Sequence, residues 1–193
     1  MRHARTSLND VTFLGVGRDP GILSGEAASL PDFDLKTVYS SPARRCLETV
    51  KNLAPELQPF TDERLQEIEY GTAEGWSYEK LHEHHPEIIQ GWSEGGDQRF
   101  PGGGENIADV LTRLQSFIHE LEEKNDEGTA MVATHNVVLR CLIGKTHMIP
   151  QQDWHWLSIP HAEPLEFKML DGSLYVNIPR NRLGKIFDGL GAV

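Results

Sequence analysis

From Asn106 onward the apolar residues Ile107, Val110, Leu111, Leu114, Phe117, Ile118 and Leu121 recur at three- and four-residue intervals, which puts them on one face of a helix. TAMVATH follows as a small, apolar run without alternation, the pattern of a strand covered on both faces, and NVVLRCLIG then reads as the next helix. Earlier, LKTVYSS is a short β-branched and aromatic run that passes straight into ARRCLETVKNLA. Pro42 stands between them and suits a first helical position, where its missing N–H costs nothing. SYEKLHEHHPEIIQGW has helical spacing interrupted by Pro86, and FLGVGRDPGILSG and EGGDQRFPGGGEN read as Gly-rich loops. PLEFKML and SLYVNI, joined by Asp171-Gly172, predict a closing antiparallel pair, with residues 179–193 as a looser tail. Strands alternating with helices predict an α/β sandwich with a largely parallel sheet, in which ligand groups gather beyond the carboxyl ends of the strands.

The length of 193 residues suits one domain, 1–193, and no apolar run is long enough to span a membrane. With no apolar stretch near the start to act as a signal peptide, a cytoplasmic location is expected. Cys46 and Cys141 are far apart and fall in helical stretches, so buried free thiols are expected. The net charge of -11 argues against a nucleic-acid footprint or an anionic membrane surface as partner. An anionic ligand then needs a local concentration of positive charge.

Four segments offer one: Arg2-His3, SSPARRCLET with Arg45, LQEIEYG with Glu67, and ATHN with His135. Guanidinium forks match phosphate oxygens and stabilise charge on a transferring phosphoryl group. A neutral imidazole can attack phosphorus, and a carboxyl group can protonate the departing oxygen and later deprotonate water. This set suits phosphoryl transfer through a phosphorylated histidine and needs neither metal nor cofactor.

Read in order, these segments resemble the histidine phosphatase superfamily, the phosphoglycerate mutase-like proteins. The family's Arg-His-Gly-x-Thr is matched as Arg2-His3-Ala4-Arg5-Thr6, with Asn9 following. GILSGEA is similar to Leu-Ser/Thr-x-x-Gly, and SSPARRCLETV to Ser-Ser-Pro-Leu-x-Arg-Ala-x-x-Thr-Ala, which selects Arg45 rather than Arg44. LQEIEYGTAEG resembles Leu-x-Glu-x-x-x-Gly-x-x-Glu-Gly, while FPGGGENIADV and ATHNVVLRCLIG match the Pro-Gly-Gly-Glu and second-histidine segments. The resemblance implies a three-layer sandwich with helices flanking the central sheet. It also implies His3 as the phosphorylated residue and Glu67 as the acid/base. Arg2, Arg45 and His135 would complete the phosphate pocket, with Thr6 and Asn9 as further contacts. His161 would be a substrate-rim residue and a small phosphorylated metabolite the partner. A mutase would use the same pocket, but the chain is short for one, which favours a metal-independent phosphomonoesterase. A non-catalytic phosphate-binding protein is the alternative from another class.

Two glycines of the family pattern are replaced, by Ala4 and Asn136. Family members also carry a central strand ahead of the first histidine, for which this sequence provides little chain, so a missing or truncated first strand is expected. His82, His84 and His85 lack metal-ligand spacing and are expected on an exposed helix end. GVGRDPG has the wrong spacing for a dinucleotide loop, and GGGEN lacks the Lys-Ser/Thr of a P-loop.

Overall fold

The protein is described here by a computed structural model covering residues 1–9, 11–25, 30–32, 34–124, 128–170, 173–176 and 186. Strand β1 (Leu35–Ser40) lies between β2 (Phe60–Thr61) and β3 (Thr129–Ala133), and both pairings are parallel. Parallel neighbours need long crossovers. Helix α1 (Arg44–Leu53) provides the first, and the connection into β3 carries α2 (Tyr78–His84), α3 (Pro86–Ser93) and α4 (Ile107–Lys124).

Residues 1–3 continue the sheet beyond β3. Arg2 bridges Thr134 in parallel and His161 on its other side. The His3 N–H donates to the Thr134 carbonyl, Thr134 N–H to the Met1 carbonyl and Ala162 N–H to the Arg2 carbonyl, each at 3.0 Å. A very short extended segment therefore delivers His3 to the carboxyl end of the sheet.

Neighbouring residues of β1 point to opposite faces of the sheet: on one, Tyr39 packs with Leu65 and with Phe117 of α4. On the other, Cys46 and Val50 of α1 pack with Met1, Val38, Met131 and Ala133. The larger core joins Val110 and Leu114 of α4 to Val137, Val138, Cys141 and Ile143 of α5 (Asn136–Thr146), and extends to Ile68, Leu81, Trp154 and Leu157. Both cysteines are buried free thiols. β4 (Phe167–Leu170) and β5 (Ser173–Val176) form the antiparallel pair as a separate two-stranded sheet; their connecting Asp171-Gly172 lies outside the described residues. So does the stretch 179–193 apart from Ile186, which is buried in the larger core.

Two local readings change. α1 begins at Arg44 rather than at Pro42, because its start is fixed from outside: the Asp19 carboxylate accepts the Arg44 N–H at 2.8 Å. β3 is covered only towards its carboxyl end, with Thr129 and Ala130 exposed and Met131 and Ala133 buried. Trp156 is half exposed, whereas Trp154 is buried and donates its indole N–H to the Ile149 carbonyl. His82 and His84 are exposed, and the His84 and His85 rings lie against Trp76 at 5.2 and 6.1 Å.

Candidate active site

His3 and His135 lie at the carboxyl ends of neighbouring extended segments, their ring centroids 5.3 Å apart and both almost fully buried. His3 Nδ1 is 2.7 Å from the Ala4 carbonyl, which can only accept, so Nδ1 carries the proton and Nε2 keeps its lone pair. Burial above all, with Arg45 and Arg2 adding repulsion, pushes the His3 pKa down to about 2. The ring is neutral. His135 is also held well below its usual range, first by burial and then by the Arg45 charge.

Arg45 projects from the first turn of α1 and is 1% exposed. Its Nη2 donates to the Gly15 carbonyl at 2.8 Å and to His135 Nδ1 at 3.1 Å, and its Nη1 reaches the Arg18 carbonyl at 3.2 Å and Asp19 Oδ1 at 3.5 Å. The loop at 15–19 thus folds over the guanidinium. The loop itself is pinned by the Glu74 carboxylate, which takes the Gly15 N–H at 3.0 and 3.1 Å. Gly15 is required there: a Cβ would stand 2.5 Å from Glu74 Oε2 and 2.8 Å from the Ile68 carbonyl. Arg44, by contrast, is exposed and paired with Glu48.

Glu67 is 5% exposed, and its carboxylate faces the amino end of α5. It accepts from Asn136 N–H at 3.1 Å and from Val137 N–H at 3.1 and 3.3 Å. These bonds and the helix dipole favour the charged form, burial opposes it, and burial wins: the pKa is raised. Glu67, Arg45 and His135 together line an open cleft of about 360 Å³ with Gly15, Val16, Asp19, Pro42, Ala43 and Gln66. His3 is not in that wall; it stands beside His135.

The remaining candidates are placed differently. Arg2 donates from Nη1 to the Ile159 carbonyl at 2.9 Å. His161 packs edge-on to His3 at 5.4 Å and its Nδ1 contacts the His3 carbonyl at 2.8 Å. Thr6 and Asn9 are engaged with each other: Asn9 Oδ1 takes the Thr6 N–H at 2.6 Å and its hydroxyl at 3.1 Å. Ala4 and Asn136 both have negative φ, so neither position demands glycine.

Sequence reasoning missed Ser41, Asp19 and Thr49. Ser41 Oγ lies 2.8 Å from His135 Nε2, and Thr49 Oγ1 accepts the Ala4 N–H at 2.8 Å while donating to the Arg45 carbonyl at 2.6 Å. Each falls within or near a quoted motif, but nothing in its spacing announces its partner. Among the described residues no cluster of metal-ligating side chains occurs and no helix is long and apolar enough to cross a membrane.

A family model for the histidine phosphatase superfamily (branch 1) matches residues 1–177. Fructose-2,6-bisphosphatase of Saccharomyces cerevisiae is 28% identical over 148 residues, or 74% of this chain and 32% of the relative, so this chain spans about a third of that protein. Phosphoserine phosphatase 1 of Hydrogenobacter thermophilus is 28% identical over 156 residues, covering 74% of this chain and 72% of the relative. Among solved structures, Bacillus stearothermophilus YhfR aligns with a TM-score of 0.77 at 22% identity, over 92% of this chain and 93% of that one. A phosphoserine phosphatase from Entamoeba histolytica in complex with 3-phosphoglyceric acid gives 0.77 at 20% identity, over 92% of each chain. The structural likenesses extend to the α/β fold, and the family match takes in every segment that builds the cleft and the paired histidines. The chain belongs to the histidine phosphatase superfamily.

Proposed function

We propose that the chain is a single-domain, metal-independent phosphomonoesterase that hydrolyses a small phosphorylated metabolite through phospho-His3. The observation that carries this reading is the His3 ring, whose Nδ1 is tied to the Ala4 carbonyl so that Nε2 presents its lone pair. In the first step Nε2 attacks phosphorus, the ester P–O bond breaks, and the Glu67 carboxyl proton goes to the leaving oxygen. In the second, the Glu67 carboxylate takes a proton from water, the water oxygen attacks phosphorus, and the P–N electron pair returns to Nε2. Arg2, Arg45 and His135 bind the phosphoryl oxygens, and His161 borders the substrate. Thr6 and Asn9 act through the turn that they build.

The named activities of the relatives, on a sugar bisphosphate and on phosphoserine, support a small phosphate ester as substrate. Two unpaired buried thiols agree with a cytoplasmic location, and the negative net charge with a substrate other than nucleic acid. The test is turnover of p-nitrophenyl phosphate in excess EDTA, with His3→Ala alongside. Activity that survives EDTA and vanishes in the variant supports the reading. Phosphate bound without turnover, and no labelled phosphate trapped on His3, would make the protein a binding module instead.

A further inference from the structure

The hydrogen bonds around His135 admit one placement of its proton. Nδ1 is approached by two nitrogens of Arg45, Nη2 at 3.1 Å and Nε at 3.3 Å. A guanidinium donates and has no lone pair to offer, so Nδ1 is the unprotonated atom. A neutral imidazole then holds its proton on Nε2, and the Ser41 hydroxyl, 2.8 Å away, has to accept it. Ser41 Oγ also takes the Ala43 N–H at 3.3 Å and contacts the Cys46 thiol. Ser41 and His135 are both fully buried, so bulk water does not compete for Nε2. Around the ring stand Arg45 and Cys46 from α1, Arg2 and His3 from the opening segment, and Arg113 from α4. This cationic surround keeps the resting ring neutral. A phosphoryl group reverses the requirement, because its oxygens accept, and the atom facing Arg45 must then donate.

We propose that Ser41 is a positioning residue that locks the resting proton of His135 on Nε2, leaving Nδ1 as the basic atom that takes up a proton when a phosphate monoester enters. The inference rests on the phosphatase reading above. The monoester arrives as a monoanion; its O–H bond breaks, an N–H bond forms at Nδ1, and a dianion is left beside an imidazolium. Charge and protons balance without another reactant. The Arg45 N–H groups that faced Nδ1 turn to the same oxygens, and His135 joins them as a donor carrying charge. Ser41 keeps accepting from Nε2 throughout.

The experiment is nitrogen-15 NMR of the full chain labelled on histidine, free and with inorganic phosphate. In the free protein His135 shows a protonated Nε2 and a bare Nδ1; phosphate converts it to the doubly protonated form. Ser41→Ala loses the fixed tautomer and lowers kcat/KM on p-nitrophenyl phosphate about 10-fold, whereas Ser41→Thr keeps the native signature. A protonated Nδ1 in the free protein, or an unchanged His135 signal in Ser41→Ala, overturns the assignment while leaving the phosphatase reading intact. A native resting tautomer with no response at any phosphate concentration overturns the phosphate pocket itself, and the switch with it. The first readout needs no variant, so a misfolded substitution does not obscure it.

Discussion

Glu67 Oε1 stands 3.1 Å from the backbone nitrogen of Val137, which moors the carboxyl group to the first turn of the helix that follows His135. The helix holds the acid in place, and burial raises its pKa so that it retains a proton where an exposed glutamate would have lost it. Glu67→Gln is expected to lower kcat/KM, which reports phosphoryl transfer to His3 and not the later hydrolysis that also uses Glu67, roughly 10²–10⁴-fold on alkyl phosphates. The loss on p-nitrophenyl phosphate, whose leaving group needs little help from an acid, should be much smaller. Equal losses on both substrates would argue against proton donation by Glu67.

Stability should fall in acid. His3 and His135 are neutral when folded, with pKa values depressed from 6.5, so below that value the unfolded chain binds more protons. Each contributes a loss of about 1.4 kcal/mol per pH unit below about 6.5. Glu67 acts in the opposite sense: between 4.5 and its raised folded pKa it holds a proton only in the native state, offsetting part of that slope. Urea midpoints measured down from neutral pH should therefore drop less steeply in His135→Gln and more steeply in Glu67→Gln. Parallel curves for all three proteins would contradict the buried neutral histidines.

Asp19 already faces the guanidinium that the proposed reading assigns to phosphate. Asp19→Asn removes a carboxylate 3.5 Å from Arg45 Nη1 yet leaves an amide oxygen able to accept the Arg44 N–H. Inhibition by inorganic phosphate should tighten about 3-fold at low salt and by less at high salt, because the site is partly exposed. An unchanged inhibition constant would mean that Asp19 and the anion do not share Arg45.

Gly15→Ala should cost both stability and activity. The new methyl would meet the Glu74 carboxylate and the Ile68 carbonyl, and backbone cannot yield as a side chain does. A loss of about 1–3 kcal/mol is expected by chemical unfolding. Because the Gly15 carbonyl holds Arg45, phosphate affinity should fall with it. Full activity at native stability would show that the loop is softer than its contacts imply.

How much of this was legible beforehand depends on how local each cause is. α4 was readable because its apolar spacing is set by its own packing on Tyr39, Leu65 and the larger core. The start of α1 was not, since its cap comes from Asp19, 25 residues away in sequence. The uneven cover on β3 was equally hidden, because Thr129 and Ala130 look as apolar and small as their buried neighbours. At the site, the motif residues His3, Arg45, Glu67 and His135 were all readable as types. Ser41 was visible only as the end of the LKTVYSS run, because its relation to His135 exists once Ser41 N–H has paired with Ala133 and brought the two strand ends level.

The opening segment also bears on how the molecule is assembled. His3 is bonded through its N–H to Thr134 and through its carbonyl to His161, which is 158 residues distant in the chain. Contacts of such high order form after local helices, since closing a long loop costs entropy before any contact compensates for it. During refolding, helical dichroism should accordingly recover first and catalytic turnover last. Turnover would then serve as a clock for the docking of the opening segment between Thr134 and His161.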